Sequence, residues 1–146
     1  MTQKGIDILL VEDDPGDVEL TREGLQTAKM VLNLHVAENG EKALQFLTRV
    51  EPFHDAPRPD MILLDLNMPK KNGLETLREI KADPALRSIP VVVLTTSEAE
   101  ADISGCYDLG ANCYITKPVS FEAFIKVVNM IEDFWFTIVK LPPKNP

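Results

Sequence analysis

The sequence predicts a doubly wound α/β fold, with five parallel strands in one sheet and helices on both faces. Three observations predict it. Short apolar runs alternate with amphipathic segments along the whole chain, the signature of repeated strand–helix units. The third apolar run, MILL at 61–64, has no polar alternation, so it reads as a strand covered on both faces. The 146 residues are enough for one ordinary domain with one core. Right-handed crossovers and five strands then favour the order 2-1-3-4-5, the flavodoxin-like arrangement.

Each element has its own warrant. IDILLV (6–11) is an apolar strand, and residues 15–30 form a helix whose Pro15 suits a first helical position. LNLHVA (32–37) alternates like a strand, and 41–49 returns to helical spacing through Ala43, Leu44 and Leu47. The third strand is 61–65, and the helix at 74–82 stops before Pro84. IPVVVLT (89–95) is the fourth strand, β-branched in its middle. A helix at 98–109 is closed by Gly110, CYIT (113–116) is the fifth strand, and 121–139 is the last helix. One domain therefore spans 1–146, with its core at about 6–138 and a tail at 140–146. The connection 50–59, with Pro52, Pro57 and Pro59, reads as a stiff exposed loop, suited to partner contact or to filling.

Composition excludes several function classes. The net charge of −8, without a cluster of Lys and Arg, would repel a phosphate backbone, so no nucleic-acid partner is expected. No apolar run approaches the roughly 20 residues of a membrane span and the start lacks a leader pattern, so a cytoplasmic location without membrane contact is expected. Cys106 and Cys113 lack a C-x-x-C spacing and read as reduced, while His35 and His54 have no companions for a metal site.

In this fold the functional crevice lies beyond the carboxyl ends of the strands. The first strand ends in Glu12, Asp13 and Asp14; the third in Asp65, with Asn67 beyond it; the fourth in Thr95, Thr96 and Ser97; the fifth in Lys117 and Pro118. Clustered carboxylates repel one another unless a cation neutralises them, and an all-oxygen donor set in an open site selects Mg²⁺. A carboxylate can attack phosphorus, and Mg²⁺ with Lys117 would supply the positioned positive charge that phosphoryl transfer needs. Asp13 or Asp14 before Pro15 also reads as a simple helix cap, and Asp65 alone as a solvated edge residue. Their joint placement favours a phosphorylatable aspartate.

These residues resemble the response regulator receiver domains of two-component signalling. ILLVEDD, LLDLNMPKKNG, VVLTTS and GANCYITKP match that family's motifs in order, and the likeness covers about 6–138. The resemblance implies that Asp65 accepts a phosphoryl group from a sensor histidine kinase. It implies that Asp13, Asp65 and the Asn67 carbonyl ligate Mg²⁺, with Glu12 acting through water. It gives Lys117 and Thr95 to the phosphoryl oxygens, and makes Thr95 and Tyr114 the switch that alters the surface of helix four, strand five and helix five. It also implies a cis bond at Lys117–Pro118. Glu12 departs from the family's usual first aspartate, and Thr96 stands where a smaller residue is frequent; Asn67 and Ser97 flank the acceptor.

No output domain is expected beyond the receiver, so a downstream protein target is expected to read the surface. The last helix carries more apolar residues than one buried stripe needs, Phe134, Trp135, Phe136 and Ile138 among them. A homodimer through this end is expected, against the alternative of a helix wrapped by its own tail. The segment FWFTIVKLPP also resembles single-domain regulators paired with phytochrome kinases. Two competing functions are weaker. An aspartyl-phosphate hydrolase of the haloacid dehalogenase type wants an acid where Asn67 stands, and a degenerate, phosphate-independent receiver would not keep Asp13, Asp65, Thr95 and Lys117.

Overall fold

The computed structural model describes residues 5–25 and 31–143. Its sheet has five parallel strands in the order β2-β1-β3-β4-β5, as the sequence predicts. They are β1 (Ile6–Val11), β2 (Leu32–Ala37), β3 (Met61–Leu64), β4 (Val91–Thr95) and β5 (Cys113–Thr116). The helices are α1 (Pro15–Leu25), α2 (Gly40–Thr48), α3 (Gly73–Ala82), α4 (Glu100–Leu109) and α5 (Phe121–Asp133). The last part of the predicted first helix, 26–30, and the tail residues 144–146 lie outside the described residues.

The apolar run of β3 is explained by two cores. Ile62 and Leu64 face one cluster, built from Ala43, Phe46, Leu77, Ile80 and Cys106 of α2, α3 and α4. Met61 and Leu63 face the other, built from Leu25 of α1 and Phe124, Val128 and Ile131 of α5. All four side chains of the strand are fully buried. At roughly 1.5–3 kcal/mol for each large apolar side chain, this central strand is a principal source of stability.

Caps set the helix starts. Asn39 accepts from the Lys42 amide and starts α2, Asn72 and Glu75 form a capping box on α3, and Ser120 caps α5. The connection 50–59 is anchored: Phe53 and Ala56 pack on the first core, and Arg58 Nη1 donates to the Ala85 carbonyl at 2.5 Å. His35 is half-buried beside Asp7, its Nε2 3.2 Å from Oδ1, whereas His54 is exposed.

Two expectations are corrected. The Lys117–Pro118 bond is trans, the form a tertiary amide prefers by about 0.5–1 kcal/mol, and among the described residues the cis bond is Glu51–Pro52. The last helix is not α-helical to residue 139. After Asp133 it widens into a π turn at Phe134–Ile138, with the Val139 amide donating to the Phe134 carbonyl at 2.9 Å. The wider turn changes which side chains point inward. Phe136 drops to 8% exposure within the second core, so it is a core residue and not part of a free interface. Phe134 and Ile138 are exposed and Trp135 is half-buried. Among the described residues, no helix is long and apolar enough to cross a membrane.

Candidate functional site

The ladder hydrogen bonds run one residue past the strands and thereby fix the crevice. The Glu12 amide donates to the Ala37 carbonyl, the Asp65 amide to the Val11 carbonyl and the Lys117 amide to the Thr95 carbonyl, at 2.7–3.0 Å. Glu12, Asp65, Thr95 and Lys117 are all buried at the same sheet edge, the arrangement expected from their strand ends. Asp13 is exposed beside them. Asp14 is a cap: its Oδ1 accepts from the Gly16 amide at 2.8 Å and the Asp17 amide at 3.4 Å.

Glu12, Asp13 and Asp65 each offer a carboxylate oxygen within 4.8 Å of the others. Three hard oxygen donors this close, open to solvent through Asp13, fit a small divalent cation that keeps several waters. An open cleft of about 490 Å³ adjoins them, lined by Asp13, Asn67, Met68, Asn72, Leu74 and Asp102.

Lys117 supplies the opposite charge. Its Nζ lies 2.5 Å from Glu12 Oε1, 2.7 Å from Asp17 Oδ2 and 3.7 Å from Asp65 Oδ2. Burial disfavours its charge, but the bonds to Asp17 and Glu12 outweigh that and hold its pKa above the ordinary lysine value. Burial, helped by the charge of Asp65, pushes Glu12 up to about 7 despite the lysine. A raised carboxylate pKa means that the folded chain keeps a proton the unfolded chain releases. This stabilising contribution is complete below about pH 4.5 and is lost as pH rises through about 7. A cation that uses the Glu12 charge must displace that proton, so apparent Mg²⁺ affinity is expected to rise about tenfold from pH 6 to pH 8 and then level off. Titration calorimetry at fixed ionic strength checks this; a flat profile would remove Glu12 from the metal site.

Thr95 is fully buried, and its Oγ1 has no hydrogen-bond partner. An unpaired buried hydroxyl is costly, and this one lies at the sheet edge with Asp65 and Lys117. Tyr114 follows on β5. Its hydroxyl donates to the Ser97 carbonyl at 2.9 Å, and Ser97 Oγ donates to Asp102 Oδ2 at 2.5 Å. The tyrosine is therefore tied to the loop that leads out of β4.

Reasoning from sequence missed Asp17 and Asp102. Asp17 lies in the first turn of α1, where an acid is ordinarily read as answering the helix dipole. The family resemblance also assigned no role to either position.

The family model for the response regulator receiver domain matches residues 8–129. Response regulator Rcp1 of Synechocystis sp. (strain ATCC 27184 / PCC 6803 / Kazusa) is 47% identical over 135 residues, 92% of each chain. The phosphorylated cyanobacterial phytochrome response regulator RcpA has a similar structure, with a TM-score of 0.94 at 44% identity over 96% of this chain and 100% of that one. The Mn²⁺-bound form of Rcp1 gives 0.91 at 46% identity, over 94% of this chain and 99% of that one.

Proposed function

The chain belongs to the response regulator receiver domain family, and from that premise we propose that it is switched by phosphorylation of Asp65. The observation that carries the reading is the meeting of Asp65 with an ammonium at 3.7 Å and with two further carboxylates able to share a cation. The Asp65 carboxylate attacks the phosphorus of a phosphohistidine on a sensor kinase. The phosphorus–nitrogen bond breaks, a phosphorus–oxygen bond forms, and the released imidazole nitrogen takes up a proton. The divalent ion of this family is Mg²⁺, and the carboxylates of Glu12, Asp13 and Asp65 fit it. When bound, it neutralises charge on the phosphoryl oxygens. Asp13, Asp65 and the Asn67 carbonyl are its proposed ligands, with Glu12 acting through water.

The chain's own residues do the rest. Lys117 pairs with one phosphoryl oxygen, and the unpartnered Thr95 hydroxyl donates to another. Movement of Thr95 is transmitted to Tyr114 through the loop at Ser97, changing the surface of α4, β5 and α5. A downstream protein reads that surface. The kinase is of the phytochrome type, a reading supported by the likeness to phytochrome response regulators. Incubation with acetyl phosphate and Mg²⁺, followed by intact mass measurement, tests the proposal. A phosphoryl adduct that needs the metal is expected; folded protein that binds Mg²⁺ yet never gains the adduct would sink it.

The chain also forms a homodimer through its last helix in this reading. Met130, Phe134 and Ile138 recur every four residues and are 68%, 51% and 70% exposed, an apolar stripe no part of the described chain covers. Leu141 of the tail packs on the second core and leaves that stripe free. Ile138→Glu is expected to convert the dimer to monomer in size-exclusion chromatography while the circular dichroism spectrum stays unchanged. Identical elution of variant and wild type would remove this stripe from the interface.

A further inference from the structure

The proposed chemistry gives Lys117 to the phosphoryl group, yet the structure gives it to other partners. Its ammonium has three donors. Two are taken by Glu12 at 2.5 Å and Asp17 at 2.7 Å, both short charge-assisted hydrogen bonds. Asp65 Oδ2, at 3.7 Å, is beyond hydrogen-bonding distance. The lysine is therefore parked beside the acceptor, between β1 and α1.

The two partners differ in what release would cost. The Glu12 side chain is 3% exposed, so water cannot replace the hydrogen bond it receives from the ammonium. The Asp17 side chain is 25% exposed and can be hydrated in place. Asp17 is thus the partner that gives way. It also stands on a different element from Glu12, so losing this bond loosens α1 from the sheet edge and leaves the β1 end intact.

We propose that Asp17 is a positioning residue: its carboxylate holds Lys117 off Asp65 in the resting chain and competes with the phosphoryl group for the same ammonium. This rests on Asp65 being the acceptor, and it names a regulator of that site. A competitor for Lys117 weakens the phosphorylated state by reciprocal coupling, so removing its charge strengthens that state.

The test uses beryllofluoride, which occupies the place of a phosphoryl group on a carboxylate, titrated at saturating Mg²⁺ and followed by fluorine NMR. Asp17→Asn keeps the size of the side chain, and Asp17→Ser is a second neutral variant. Both are expected to bind the probe about tenfold more tightly than wild type, within the usual range of coupling between sites. Asp17→Glu, which restores the charge, is expected to return to wild-type affinity. Asp14→Asn removes an equal charge nearby while remaining a good N-cap, so it measures the general field alone; a change under about twofold is expected. Unchanged or weaker binding by both neutral variants would overturn the proposal, as would equal tightening by Asp14→Asn. A wild type that binds no beryllofluoride at all would remove the phosphoacceptor reading itself, and this inference with it.

Discussion

Asp65→Asn is expected to abolish the metal-dependent phosphoryl adduct completely, and to make the metal-free protein more stable. The first effect follows from chemistry. The amide lacks the anionic oxygen that attacks phosphorus, and the remaining carboxylates stand elsewhere: Asp13 is exposed, and Glu12 is engaged with Lys117. The second effect follows from electrostatics. Asp65 is one of the charges that push the Glu12 pKa up to about 7, so its removal relieves repulsion inside a buried cluster. Lys117 keeps its two short bonds, to Glu12 and Asp17, and loses only the 3.7 Å contact. A gain of about 0.5–2 kcal/mol is expected in urea denaturation without Mg²⁺, the common size of a single stabilising substitution. Added Mg²⁺ should then stabilise the variant much less than wild type. An adduct that persists in Asp65→Asn would move the phosphoacceptor to another residue. Loss of stability in the metal-free variant would mean that the Lys117–Asp65 attraction outweighs the repulsion among the acids.

How much of this was legible in the sequence depends on the range of the interactions involved. The strand MILL, the acids behind it and the order of the sheet are local or topological facts, and composition with periodicity suffices to read them. So is the convergence of Glu12, Asp65, Thr95 and Lys117, because strand order alone brings their positions together. The exposed Phe134 and Ile138 were also within reach, since an all-apolar helix end needs a second cover. Phe136 was not, because a π turn changes the facing of every residue after it, and nothing in FWFTI marks the change in hydrogen bonding. Asp17 was hidden for a different reason. Its partner lies 100 positions away, and an acid in a helix's first turn already has a sufficient local explanation. Glu132 makes the same point. A charged side chain in a helix ordinarily reads as exposed, yet this one is 7% exposed, one carboxylate oxygen has no partner among the described residues, and burial, together with the charge of Asp133, raises its pKa.

Gly73→Ala is expected to be among the most damaging single-methyl changes in the chain, and the reason joins the fold to the site. Gly73 opens α3 and donates its amide to the Leu66 carbonyl at 3.0 Å, so the helix start lies directly on the segment that follows the acceptor. A Cβ there would stand 2.4 Å from the Asp65 carbonyl oxygen and 2.6 Å from Leu66 Cα. Both atoms are backbone, so no rotamer change relieves the overlap; either α3 or the Asp65–Leu66 peptide must move. Overpacking of this kind costs about 1–3 kcal/mol, and here it also displaces the carboxylate that must align with a phosphoryl donor. Gly105 provides the contrast. It lies within α4, and a Cβ there would meet its nearest atom, Leu74 Cδ2 of α3, at an ordinary 3.7 Å, so Gly105→Ala should stabilise by up to about 1 kcal/mol through helix propensity alone. Urea midpoints for the two variants should therefore shift in opposite directions, and only Gly73→Ala should also slow phosphorylation by acetyl phosphate. If Gly73→Ala folds with wild-type stability and wild-type phosphorylation, the close approach of α3 to the acceptor segment is not what holds Asp65 in place.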